Sequence, residues 1–222
     1  MRKTVFAAAL LCSFGAATAQ ANLLTSFAAY TGQGLDLTAY ANGSYNFTFG
    51  PAAIPGGITF TSHVINSNSG LGSVLGQGSY GLGNNGAFDS TAVYAGLDGP
   101  SGYMSFLFAA PVSSFGAFIN YFPNNSAAQV IGAYDDHGVL LEEWDLTIAA
   151  PISTPGALNA FEFRGIELPT ASISEFRMGG QYILAAATPD GSPVAVPTPE
   201  PMTLALMGVA LAGLGAVRRR RA

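Results

Sequence analysis

The sequence predicts an all-β protein: a single β-sandwich or jelly-roll domain over residues 22–187, behind an export leader and ahead of a C-terminal membrane segment. Three observations carry this. Apolar residues recur at every second position in run after run. Gly, Pro and Asn turns separate those runs, and the body shows no stretch with the period of an amphipathic helix. No internal repeat of about 20 to 50 residues stands out, which argues against a solenoid or propeller.

Arg2 and Lys3 open the chain, and a run of apolar and small residues follows from Val5 to Ala17. Ala17-Thr18-Ala19 supplies the small-x-small site that signal peptidase needs, with Ala19-Gln20-Ala21 as the alternative. Residues 1–21 are therefore expected to be a cleaved signal peptide. Cys12, the single cysteine, leaves with it, so the mature chain is expected to lack a disulfide, a thiolate nucleophile and a cysteine metal ligand. Burial alone can stabilise such a body, because domains of this size bury roughly 70% of their unfolded-chain surface.

Residues 22–30 read as a brief helix or a first strand. Residues 35–40 and 45–49 alternate apolar and polar as half-buried strands do, and Asn42-Gly43 between them is a tight-turn dipeptide. Residues 57–62 read as another strand. The stretch 66–86 is rich in Gly, Ser and Asn and is expected to be a long surface loop, with a ligand-binding lid as its functional alternative.

Met104, Phe106 and Phe108 share a face of the next strand, which Pro111 separates from its successor. In that successor Phe115, Ala117, Ile119 and Tyr121 lie on one face. Strands at 129–134 and 139–146 flank Asp135-Asp136-His137-Gly138, a hairpin turn with glycine where left-handed backbone is often required. Runs at 160–164, 172–178 and 181–186 complete the sandwich. Pro189, Pro193 and Pro197 make 188–198 an extended spacer.

Residues 199–222 hold Pro199-Glu200-Pro201, an apolar run over 202–217, then Arg218, Arg219, Arg220 and Arg221. As a helix the run rises roughly 24 Å, short of the hydrocarbon core's about 30 Å. Arginine side chains reach the interface and extend such a span, and their preference for the cytoplasmic side sets the tail inside and the body outside.

Charge removes whole classes of function. Between residues 22 and 198 only Arg164 and Arg177 are basic, against twelve carboxylates, and there is no lysine. Such a body cannot neutralise phosphates, so no nucleic-acid partner is expected. Anionic lipid heads repel it, and its acidity keeps an apolar-rich domain soluble.

Few residues suggest chemistry. Asp135, Asp136, Glu142, Glu143 and Asp145 gather around one hairpin. Hard oxygen ligands at a turn suit Ca²⁺, with Asp135 and Asp136 as candidates, but the spacing is not that of an EF-hand, and the same residues make an ordinary solvated turn. No cofactor is expected otherwise. Glycoside hydrolysis needs two carboxylates at a set separation, and no motif sets one here. His63 and His137 lack a partner at metal-binding spacing, and no G-x-S-x-G elbow is present. Trp144 and Tyr134 are candidates for a saccharide platform, although alternation aligns Trp144 with Leu140, Glu142 and Leu146 and favours core packing.

The order Pro199-Glu200-Pro201, apolar segment (Thr203-Leu204-Ala205-Leu206, then Gly208 to Gly215) and arginine cluster closely resembles the PEP-CTERM sorting domain of Gram-negative bacteria. Met202 departs from it where that family often has a small residue. The resemblance implies export and a transient hold in the inner membrane with the C-terminus in the cytoplasm. It also implies recognition of Glu200 and its flanking prolines by an exosortase, removal of the anchor, and delivery to the cell surface or an exopolysaccharide matrix. The body is similar to β-sandwich domains attached to this signal, through Val112-Ser113-Ser114-Phe115-Gly116-Ala117, Ala133-Tyr134-Asp135 with Gly138, and Phe161-Glu162-Phe163-Arg164-Gly165-Ile166. Where those relatives often end in an Asp-Asp-Leu strand, this chain reads Tyr182-Ile183-Leu184-Ala185-Ala186-Ala187. A structural or adhesive, non-catalytic surface protein is the expected function. The alternatives are a carbohydrate-binding module using Trp144, tyrosines and the 66–86 stretch, and a secreted hydrolase.

Overall fold

The computed structural model describes residues 21–28, 30–123, 127–156 and 160–193. The expected signal peptide except Ala21, the end of the spacer, the Pro199-Glu200-Pro201 motif, the apolar run and the arginine tail lie outside them. Among the described residues no helix is long and apolar enough to cross a membrane.

The strands are β1 (Asn22–Leu24), β2 (Phe47–Thr48), β3 (Ala52–Ile54), β4 (Ile58–Ile65) and β5 (Ser73–Gln77), then β6 (Tyr80–Gly81), β7 (Ala87–Phe88), β8 (Val93–Gly96), β9 (Ser101–Val112) and β10 (Ser114–Asn120). They continue with β11 (Val130–Tyr134), β12 (Leu140–Asp145), β13 (Glu162–Glu167), β14 (Ile173–Gly179) and β15 (Leu184–Ala186). Among the described residues, helix is confined to one α turn, α1 (Leu146–Ala149), and two 3₁₀ turns at Thr38–Tyr40 and Gly83–Asn85. A seven-stranded sheet runs β1-β13-β10-β15-β8-β5-β2, a six-stranded sheet runs β12-β11-β14-β9-β4-β3, and β6 pairs with β7. The fold is all-β.

The two large sheets face each other across rings predicted from alternation. Phe115 on β10 meets Phe106 on β9 and Phe176 on β14 at centroid distances of 5.5 and 4.9 Å. Met104, Phe106, Ala117 and Ile119 complete the same buried layer. The outer face of the seven-stranded sheet is buried too. Phe118, Phe163, Tyr94, Val74 and Leu184 form a second apolar cluster there with Leu82, Phe88 and Phe161.

That second layer explains where sequence expectations fail. The 66–86 stretch is no loop: Ser73–Gln77 is an interior strand of the sheet, and Leu82 and Asn85 are buried. Gly76 belongs there because residues 44–46 cross so closely that a Cβ would strike Ser44 O. Strand β8 leaves no periodic signal, since all four of its residues are buried and a strand covered on both faces reads as a continuous run. Residues 35–40 are not a strand either. Asp36 Oδ1 accepts the Thr38 amide at 2.9 Å, an Asx turn that competes with a ladder, and the chain enters a 3₁₀ turn.

Pro111 does not end a strand; β9 continues through it to Val112. It falls where the β9–β14 register shifts, so its missing N–H breaks no ladder bond. The 135–138 hairpin is as expected, with Gly138 at φ +74°. Residues 188–192, expected to begin an extended spacer, start as a turn tied to the body. Pro189 O accepts from Phe161 N at 2.7 Å and Gly191 O from Val93 N at 2.8 Å.

Candidate functional site

Strands β10, β15 and β8 are neighbours in the seven-stranded sheet, and at one edge of it their ends converge. There Asp98 follows β8, Phe122 follows β10 and Tyr182 precedes β15. With Asn68, Ser79, Tyr80 and Gly81 from the glycine-rich stretch they line a cleft of about 360 Å³. Asp98 is nearly buried. Its Oδ2 accepts from Ser69 N at 3.0 Å and Ser67 Oγ at 3.3 Å, while Oδ1 has no donor among the described residues. Its backbone carbonyl takes the Asn68 amide at 2.9 Å.

Tyr182 is held at φ +48°, a left-handed conformation that a bulky residue adopts only when its surroundings impose it. Tyr182 N donates to Gly99 O at 3.2 Å, and its phenol oxygen accepts from Asn68 Nδ2 at 3.1 Å. The Phe122 ring stands edge-on to it at 6.3 Å. Burial, reinforced by the Asp98 charge, pushes the Tyr80 phenol well above its ordinary value, so it stays protonated. That hydroxyl has no partner among the described residues. Among the described residues, the lining of the cleft thus includes the Tyr80 hydroxyl and Asp98 Oδ1 without hydrogen-bond partners, beside the Phe122 and Tyr182 rings.

Behind the Tyr80 wall, the Gly83–Asn85 turn is bolted to the body by a buried amide pair. Asn85 Nδ2 donates to Asn120 Oδ1 at 2.9 Å, Tyr121 O at 2.9 Å and Ile152 O at 3.2 Å, while its Oδ1 accepts from Thr154 N at 3.2 Å.

The sequence candidates are placed elsewhere. Trp144 pairs with Ile131 and packs on the inter-sheet core, its Nε1 without a hydrogen-bond partner among the described residues. Tyr134 points the other way. On the outer face of the six-stranded sheet it stacks on Arg177, whose guanidinium carbon is 3.9 Å from its ring and 4.9 Å from that of Tyr103; His63 in turn stacks on Tyr103 at 4.7 Å. Alternation therefore sets Trp144 and Tyr134 on opposite faces, and they form no common platform. Glu175 closes that row with two 2.8 Å bonds to Arg177 and one of 2.6 Å from Ser105. Burial pushes its carboxyl up, but the Arg177 and Ser105 bonds outweigh it and hold it below the usual range.

Asp135 Oδ1 already accepts the amides of His137 and Val139, at 2.9 and 2.8 Å. Asp136 lies 3.8 Å from His137 Nε2 with both side chains in solvent. Asp145 caps α1 through Thr147 N, Glu142 lies opposite the core residue Ala133, and Glu143 faces the Arg177 groove. Among the described residues no group of three or more His, Cys, Asp or Glu could hold a metal. An apolar groove of about 340 Å³ beside Phe27, Phe118 and Pro189 contains few polar groups, and its hydroxyls, on Tyr30 and Thr188, are already bonded.

Beyond the described body, a family model for the PEP-CTERM protein-sorting motif matches residues 197–221. The chain carries a PEP-CTERM sorting signal. The match takes in Pro199, Glu200, Pro201 and the four arginines, and it indicates an exported, membrane-transiting protein sorted by an exosortase. No curated protein and no solved structure matches the chain. Its cleft residues Tyr80, Asp98, Phe122 and Tyr182 carry no motif. Their only signals in the sequence are the tyrosines near a polar stretch that was one reading of a ligand lid.

Proposed function

We propose that this PEP-CTERM protein is a non-catalytic, adhesive protein of the cell surface or exopolysaccharide matrix, and that its β-sandwich holds a saccharide in the Tyr80–Asp98–Tyr182 cleft. One observation carries the reading: Tyr80, with a protonated hydroxyl, and Asp98, with one carboxylate oxygen, line a cleft walled by Phe122 and Tyr182, and both groups lack a hydrogen-bond partner among the described residues. A pyranose has that complement, with an apolar C–H face for the rings and neighbouring hydroxyls that both donate and accept. The carboxylate and the acidic body favour a neutral sugar over a uronate. A single carboxylate among the described lining residues suits binding, since glycoside hydrolysis takes two.

A glycan array probed with the purified protein tests the reading. Binding to neutral glycans is expected, unchanged by EDTA because no metal takes part. Asp98→Asn and Tyr182→Gly are expected to lose roughly tenfold or more in affinity with circular dichroism preserved. An array with no signal above background, or binding indifferent to both substitutions, overturns it.

A further inference from the structure

The aromatic lining of the cleft does not stop at Tyr80. Its ring meets Tyr94 edge-on at 5.8 Å; Tyr94 meets Tyr45 at 6.3 Å and donates its hydroxyl to Tyr45 Oη at 2.8 Å; and Tyr45 lies 6.0 Å from Phe47 with the rings within 20° of parallel. Tyr94 is buried, whereas Tyr45 and Phe47 are 37% and 39% exposed. The register explains their common direction. Phe47 pairs with Val74, whose side chain belongs to the outer layer of the seven-stranded sheet, and Tyr45 follows at the two-residue period. Gly78 makes room for Tyr45, since any Cβ there would collide with its ring. Tyr45 is thus backed by glycine and pinned at its hydroxyl, and it keeps part of its ring in water.

We propose that Tyr45 and Phe47 extend the saccharide cleft into a track, and that the ligand is a linear neutral polysaccharide held over several residues rather than a terminal sugar. This rests on the saccharide reading of the cleft and adds the length of its ligand. Two near-parallel exposed rings, linked beneath the surface to the Tyr80 wall by the buried Tyr94 ring, suit a chain whose successive rings present the same apolar face. A second copy of the protein is disfavoured as the occupant. The strand carrying Phe47, β2, is two residues long, Tyr45 lies ahead of it, and so short an edge strand offers little ladder for edge-to-edge pairing.

The test compares di- and hexasaccharides of cellulose, β-1,4-mannan and laminarin by calorimetry, with affinity electrophoresis in hydroxyethylcellulose, galactomannan and laminarin gels. In the series that binds, the hexasaccharide is expected to bind about tenfold more tightly than the disaccharide, because it reaches both exposed rings. The double variant Tyr45→Leu/Phe47→Leu keeps apolar packing without the rings and is expected to bring the hexasaccharide down to the disaccharide's affinity, leaving the disaccharide unchanged. Asp98→Asn weakens both. Equal affinity for the two lengths, or a double variant with wild-type hexasaccharide binding, overturns the track while leaving the cleft intact. A double variant that dissociates a dimer in sedimentation overturns it in favour of a self-contact. Failure of every saccharide to bind removes the cleft reading itself.

Discussion

Replacing Asn85 with alanine tests whether the glycine-rich stretch is an ordered wall of the cleft or a tolerant loop. Asn85 is buried and makes four hydrogen bonds, to Asn120, Tyr121, Ile152 and Thr154. Alanine removes all four and strands the Tyr121 and Ile152 carbonyls and the Thr154 amide; Asn120 Oδ1 keeps the Tyr121 amide at 2.8 Å. At a net contribution of about 1 kcal/mol per bond, with some relief from water entering, the loss comes to roughly 2–4 kcal/mol. For a urea slope of about 2 kcal/mol/M, the unfolding midpoint falls by roughly 1–2 M. Trp144, the sole tryptophan and packed on the core, reports the transition by fluorescence. A tolerant loop keeps such substitutions within about 0.5 kcal/mol. A midpoint shift below about 0.3 M refutes the anchoring argument.

Tyr182 provides a second check, because its backbone is strained. Tyr182→Gly is expected to be more stable than Tyr182→Ala by about 1 kcal/mol in urea melts, since only glycine adopts φ near +48° without penalty; equal stabilities remove the strain argument. At high pH, burial holds the Tyr94, Tyr80 and Tyr30 phenols above their ordinary value of 10.0. Groups raised in the folded state stabilise it fully below pH about 10 and lose that contribution as pH climbs toward their folded values. Phenolate absorbance is therefore expected to appear together with loss of β circular dichroism above pH about 10, and full ionisation with the fold intact counts against buried phenols. In the secreting cell, Glu200→Ala is expected to accumulate a membrane-bound precursor on immunoblots, and unchanged release to the surface contradicts exosortase recognition of that residue.

Parts of the fold were legible wherever a strand buries one face. Met104 and Phe106, Phe115 and Ile119, and the hairpin ending at Gly138 all stand as alternation and turn chemistry place them. Strands β5 and β8 were not legible. The chain folds 78–92 and 188–191 back over their outer face, and double burial erases the period that a sequence shows. Trp144 was correctly read as core-leaning, yet its separation from Tyr134 follows from pairing with Ile131, a long-range register.

By itself the sequence determined the address. Pro199-Glu200-Pro201, the apolar run and the arginines are contiguous, so no fold is needed to assemble the signal that marks an exported protein for an exosortase. It also determined the all-β class and the scarcity of basic residues in the body, since periodicity and composition are local. Only the tertiary structure decided the cleft. Asn68, Tyr80, Asp98, Phe122 and Tyr182 come from separate parts of the chain and meet because three strands of one sheet end side by side. That the Tyr80 hydroxyl and Asp98 Oδ1 have no hydrogen-bond partner among the described residues is a property of packing that no local pattern of residues encodes.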